Sequence, residues 1–210
     1  MSDQRNMETA WSRLTAWLKV NAPVSYASLL PGAPEMVIEE ADAELRQHLG
    51  FSLPTELAAL WRICGGVEHQ EIAGDEEGEV GSGAFLPGGV IMFPLDALRP
   101  RLPDHTGTDW WGGAPVVPWL TGDEAGPESG HWAGDIGVGR WSLDSLIGVG
   151  QKAAYPSIAA YLEAVYRTLT DGPADGMGPN VPGVVWGCLI WENYEAPLLD
   201  EALPHWTLSH

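Results

Sequence analysis

Hydrophobic positions recur with a helical period over the first third of the chain. Met7, Ala10, Trp11, Leu14, Trp17 and Leu18 fall on one face between Met7 and Val20, the stripe of an amphipathic helix. Asn21 and Pro23 end that helix, because a proline cannot continue it. After the turn Leu29-Leu30-Pro31-Gly32-Ala33-Pro34 the pattern resumes over Glu35 to Leu49, with Ile38, Ala41, Leu45 and Leu49 inward. Gly50 is placed to take a left-handed cap. A third helix is predicted from Pro54, whose fixed φ suits a first helical position. Its core face holds Leu57, Leu60, Trp61 and Cys64, and Gly65-Gly66 stops it. Trp17 and Trp61 are both assigned to the core.

Beyond Gly66 the period shortens. Glu68 to Gly83 is glycine-rich and carries Glu68, Glu71, Asp75, Glu76, Glu77 and Glu79 with no Lys or Arg. Repulsion between these charges predicts an extended, mobile loop. Short apolar runs then predict strands. They are Phe85-Leu86 and Val90–Phe93 around a Pro87-Gly88-Gly89 turn, Val116–Leu120, and His131–Ile136 and Val138–Leu143 on either side of Gly137. Pro118 lacks an N–H, so its strand should lie at an edge or bulge there. A last helix is expected from Pro156 to Leu169, with Ile158, Tyr161, Leu162, Val165 and Leu169 inward. Asp171 to Pro182 reads as a linker, and Val184 to Trp191 as one strand.

Composition narrows the functional classes. The chain has 210 residues, 29 acidic and 10 basic, for a formal charge of −19. Phosphate contact requires Lys and Arg, so direct binding of nucleic acid or an anionic membrane is not expected. A basic protein partner is compatible with this charge. The N-terminus lacks the basic and apolar regions of a signal peptide. The longest apolar run, Gly183 to Trp191, is about half the roughly 20 residues a membrane helix needs. A cytoplasmic protein is expected. Cys64 and Cys188 stand in no metal-ligand spacing and read as a reduced pair.

Chemistry-bearing residues are few. Asp123, Glu124, Glu128, His131 and Asp135 fall in one Gly-rich region and offer oxygen and imidazole ligands to a divalent metal. They lack the spacing of a known calcium loop or zinc motif, and solvated loop charges are the expected reading. His131 reads as a surface or hydrogen-bonded residue. No nucleophile elbow, phosphate loop or dinucleotide fingerprint occurs. No catalytic residue, cofactor or metal is therefore assigned. Among the 11 tryptophans, the adjacent pair Trp110-Trp111 would on a strand face opposite ways, so that one ring can be core and the other open to a partner.

Several short motifs stand in a suggestive order. Trp11 is followed by Leu30-Pro31-Gly32-Ala33, then Leu49-Gly50, Leu53-Pro54-Thr55-Glu56-Leu57 and Gly65-Gly66. Later come Trp110-Trp111, Val117-Pro118-Trp119-Leu120, Gly130-His131-Trp132-Ala133-Gly134-Asp135 and Ser157-Ile158-Ala159-Ala160-Tyr161-Leu162. In this order the chain resembles the SUKH superfamily, which includes SMI/KNR cell-wall assembly regulators. The resemblance covers roughly residues 7–171. It departs from the family pattern at Gly65-Gly66, where Asn-Gly is usual, and at the short Gly137-Val138-Gly139-Arg140-Trp141 run.

The resemblance implies a SUKH-like α+β domain over residues 1–171. This would be a mixed, mainly antiparallel twisted sheet with helices packed on one side. Residues 172–210 lie outside the resemblance and are expected to be a linker, strand and tail packed on the same domain. It also implies a non-enzymatic binding module, most often an immunity protein that neutralises a toxin such as a nuclease. The alternatives are a signalling scaffold and a metal-assisted hydrolase using the loop carboxylates. Combined with the charge pattern, the expected partner surface comprises Trp110, Trp111, Trp119, Asp123, Glu124, Glu128, Asp135, Glu76 and Glu77. The acidic loop would there present a decoy of a phosphate backbone to a basic toxin.

Overall fold

The computed structural model describes residues 2–73, 79–87, 89–101, 114–122, 129–142, 153–172, 180–193 and 207–209. Four helices come first: α1 (Ser2–Asn21), α2 (Pro23–Ala27), α3 (Glu35–Leu49) and α4 (Thr55–Ile63). The short α2 begins with Pro23, the proline expected to end α1. Gly50 caps α3 with φ 76° and ψ 13°, as its lack of a Cβ allows. Pro54 stands one residue before α4, as its N-cap.

Six strands follow the helices: β1 (Glu71–Ala73), β2 (Glu79–Gly81), β3 (Val90–Ile91), β4 (Val116–Thr121), β5 (Ser129–Gly134) and β6 (Gly137–Ser142). A 3-10 turn, Asp96–Arg101, lies between β3 and β4. Helix α5 (Ile158–Asp171) and strands β7 (Asn180–Val185), β8 (Cys188–Asn193) and β9 (Thr207–Leu208) complete the order. The fold is α+β. Among the described residues every strand pair is antiparallel, and the strands divide into three sheets, β1-β2, β3-β4-β5-β6 and β8-β7-β9.

Pro118 bulges its strand: the β4–β5 register slips between Pro118 and Leu120, where the missing N–H would leave a gap in the ladder. Two other expectations are corrected. The acidic segment is paired at both ends, since β1 and β2 form a hairpin with Ile72 opposite Val80. Alternation turns Val80 into a small apolar cluster with Val185, Cys188 and Ile190, and that burial outweighs the repulsion between exposed Glu71 and Glu79. The apolar run near the C-terminus is not one strand but the hairpin β7–β8. It turns at Trp186 and Gly187, with φ of 48° and 80°, the left-handed pair of a tight two-residue turn.

One core unites the helices with the four-stranded sheet, from Met7, Leu14 and Leu18 through Trp61 and Leu60 to Trp119, Tyr161, Leu162 and Val165. The expected inner stripe of α5 is wholly buried. Trp61 is fully buried, whereas Trp17 packs only partly against the core. The C-terminal hairpin docks on α2: Val24 N–H donates to the Gly187 carbonyl at 3.0 Å and Leu189 N–H donates to Ser25 Oγ at 3.0 Å. Leu189 joins the main core. The Trp191 indole donates to the Phe85 carbonyl at 2.8 Å.

Candidate partner-binding surface

Two loops meet edge to edge beside α1. The Gly65 N–H donates to the Pro31 carbonyl at 3.0 Å, the Leu30 N–H to the Gly66 carbonyl at 3.2 Å, and the Ala33 N–H to the Trp61 carbonyl at 2.8 Å. This approach explains the glycines. A Cβ on Gly32 would fall 1.9 Å from the Arg62 carbonyl oxygen, and one on Gly65 would fall 2.8 Å from the Ala33 nitrogen. Only residues without a side chain let these backbones close.

Beside the junction is a cleft of about 370 Å³ walled by Trp11, Tyr26, Leu29, Leu30, Ile63 and Cys64. Ile63 is 37% exposed at its rim. The Phe93 ring, 43% exposed, lies over Gly66, and a Cβ there would meet it at 3.0 Å. Cys64 offers no nucleophile, because burial pushes its thiol up to about 11 and the thiol donates to the Gly66 carbonyl at 3.2 Å.

The charges around this region are mixed. Glu35 accepts both arms of the Arg62 guanidinium, at 2.9 and 2.6 Å. That hydrogen bonding holds the Glu35 carboxyl below its ordinary value and Arg62 above its own. Glu39 also acts on Arg62, and Glu68 is exposed next to Val67, which bridges Leu29. The Lys19 ammonium lies 5.8 Å above the Tyr26 ring at the α1–α2 end.

The expected partner surface is only partly described. Trp110, Trp111, Glu76, Glu77, Asp123, Glu124 and Glu128 lie outside the described residues. Trp119 is corrected: it has 0% exposure and meets Tyr161 edge-on at 5.6 Å, so it offers nothing to a partner. Asp135 is exposed in the β5–β6 turn, beside Ile136 at 52% exposure. The chain leaves β4 at Thr121 and re-enters at Ser129. Asp135 is therefore one strand length, about 20 Å at roughly 3.4 Å per residue, from where segment 123–128 is anchored.

His131 is also corrected, being neither on the surface nor hydrogen-bonded on both ring nitrogens. It is 5% exposed and its ring leans on Tyr161 at 5.3 Å. Tyr155 meets the same tyrosine at 5.3 Å. Among the described residues, His131 Nδ1, Trp119 Nε1 and the Tyr155 hydroxyl have no hydrogen-bond partner. Burial, with a smaller repulsion from Arg140, lowers His131 to about 4, so it is neutral at pH 7. Among the described residues no three His, Cys, Asp or Glu side chains are grouped to hold a metal ion, and no helix is long and apolar enough to cross a membrane.

Sequence reasoning missed Glu56. Its Oε2 accepts the Ile158 N–H at 2.8 Å, while Ser157 Oγ accepts the Ala160 N–H at 3.0 Å. Both cap the first turn of α5. A proline-started helix with an early glutamate suggests only a local role, and nothing in the spacing points to residue 158. No protein-family model matches the chain, and no curated protein matches it.

Proposed function

We propose that this chain is a non-enzymatic protein-binding module that acts as an immunity protein against a basic toxin, a nuclease being the favoured type. One observation carries the reading. The motifs behind the SUKH resemblance, far apart in sequence, are joined by direct hydrogen bonds in the fold. Pro31 bonds Gly65, Leu30 bonds Gly66, and Glu56 bonds Ile158. The resembling motifs thus form one backbone frame in this chain, which supports reading them together rather than singly. The charge of −19 suits a basic partner, since a field of one sign speeds encounter by roughly 10–10³.

The test is affinity capture from the native host with the tagged full chain, in low salt and then in high salt. A stoichiometric basic protein, released by salt and toxic when expressed alone, is expected. Capture of nothing, or of an acidic protein indifferent to salt, would overturn the reading.

A further inference from the structure

We propose that the acidic hairpin β1–β2 is a lid on β8, opened by repulsion between its own charges and closed when that charge is screened. The proposal goes beyond the toxin reading and does not depend on it. Strand β8 has two faces, since alternate side chains point opposite ways. Leu189 and Trp191 pack on the main core. Cys188 and Ile190 face the other way and, with Val185, bury Val80 of β2. These four residues form a cluster separate from the main core, and Ile72 of β1 packs partly against it. The lid's own contributions are thus Val80, which is buried, and Ile72, which is half-buried.

Hydrogen bonds fix the base of the lid. The Val67 N–H donates to the Ile91 carbonyl at 3.2 Å, and the Glu68 N–H to the Ser28 carbonyl at 2.9 Å. The Ser82 N–H donates to the Gln70 carbonyl at 2.8 Å, and Ser82 Oγ accepts the Gln70 N–H at 3.0 Å. These bonds end where the ladder from Glu71 to Gly81 begins. A segment anchored at its base and seated on a small apolar cluster opens more readily than the core does.

Charge works against closure. Ile72 stands opposite Val80, so Glu71 and Glu79 share the other face of the hairpin, and both are exposed. They form a diagonal cross-strand pair, about 7–8 Å apart. The sequence between the strands adds Asp75, Glu76 and Glu77. An isolated two-stranded hairpin is marginal in water, so when Val80 leaves β8 the strands part and the carboxylates separate. Repulsion therefore favours the open form, and salt or a basic partner favours the closed one.

The experiment is alkylation of the native full chain with N-ethylmaleimide, an uncharged reagent, followed at each cysteine by peptide mass spectrometry. Cys188 lies under the lid and Cys64 in the main core. Burial raises both thiols to about 11, so a difference in rate measures access rather than intrinsic reactivity. In low salt Cys188 is expected to react at least about tenfold faster than Cys64, as a locally opening unit does. Raising potassium chloride from roughly 10 to 150 mM shortens the screening length from about 30 to 8 Å; this should slow Cys188 and leave Cys64 unchanged. Glu71→Gln combined with Glu79→Gln should slow Cys188 about two- to threefold, the factor that two unit charges at that separation supply in water. Val80→Ala removes the lid's buried contact and should speed Cys188 alone. Equal rates for the two thiols, equal acceleration of both by Val80→Ala, or a Cys188 rate indifferent to salt and to the charge variant would each overturn the proposal.

Discussion

The Trp61 indole donates its N–H to the Met92 carbonyl oxygen at 3.1 Å, tying the core face of α4 to the chain just past β3. Trp61 has 0% exposure, so both its volume and its one polar atom are satisfied by the interior. Trp61→Ala should lower stability by about 3–5 kcal/mol, the range for emptying a large aromatic site. Trp61→Phe keeps most of the volume but strands the Met92 carbonyl, at a cost of about 1–3 kcal/mol. Urea denaturation of the two variants measures both effects. A shift under about 1 kcal/mol for the alanine variant would contradict the packing described here.

Glu56 reaches from α4 to the first turn of α5, where it accepts the Ile158 N–H. Glu56→Ala should cost about 1–2 kcal/mol, as removal of a helix cap does. The local signature is more specific. Hydrogen exchange of the Ile158 amide should accelerate in this variant more than that of the Ala160 amide, which Ser157 still holds. Equal acceleration of both would mean that Glu56 supports the fold only globally.

Gly32 faces the Arg62 carbonyl so closely that an added Cβ would stand 1.9 Å away. Gly32→Ala should therefore cost at least the roughly 1–3 kcal/mol of overpacking and broaden the junction amides. Gly50 is the control. It has φ of 76° and nothing within 4 Å of its added Cβ, so Gly50→Ala should cost only about 1 kcal/mol of backbone strain. Thermal denaturation ranks the two, and the reverse order would contradict the loop contact.

Burial holds the His131 imidazole neutral, at about 4 instead of the usual 6.5. In the unfolded chain this group takes up its proton near pH 6.5, whereas the folded chain resists until about 4. The unfolded state thus binds more protons in that window, and stability attributable to His131 falls as pH drops from 6.5 to 4. The full effect is on the order of 3 kcal/mol. Carboxylates titrate in the lower half of the window, so the comparison must be with His131→Phe, which keeps a ring beside Tyr161. The stability difference between His131→Phe and the parent should widen in favour of the variant as pH falls. A pH-independent difference would show that the histidine does not titrate on unfolding.

Much of the helical half was legible in the sequence, because its signals are local. The stripe from Ile38 to Leu45 and the glycine at position 50 place α3 as observed, and Pro118 marks the bulge in β4. The failures involve partners distant in sequence. Glu71 and Glu79 look like mutually repelling loop charges until Val80 finds Val185 and Cys188, more than 100 residues away. Trp119 stands in the continuous apolar run Val116–Leu120, which has no alternation to mark an inner face, and Tyr161 on α5 is what meets its ring. At the junction beside α1 the sequence offered the motif Leu30-Pro31-Gly32 and the Gly65-Gly66 pair, but not their contact. Ile63 and Phe93 had no signal at all, since exposure of one apolar residue depends on what the rest of the chain leaves uncovered.

Expressing the captured basic protein in a tester strain, alone and together with this chain, measures neutralisation directly. Growth arrest from the captured protein alone, and recovery when the chain is present, is the expected result. A captured protein that is harmless alone, or equally toxic with and without the chain, would contradict it.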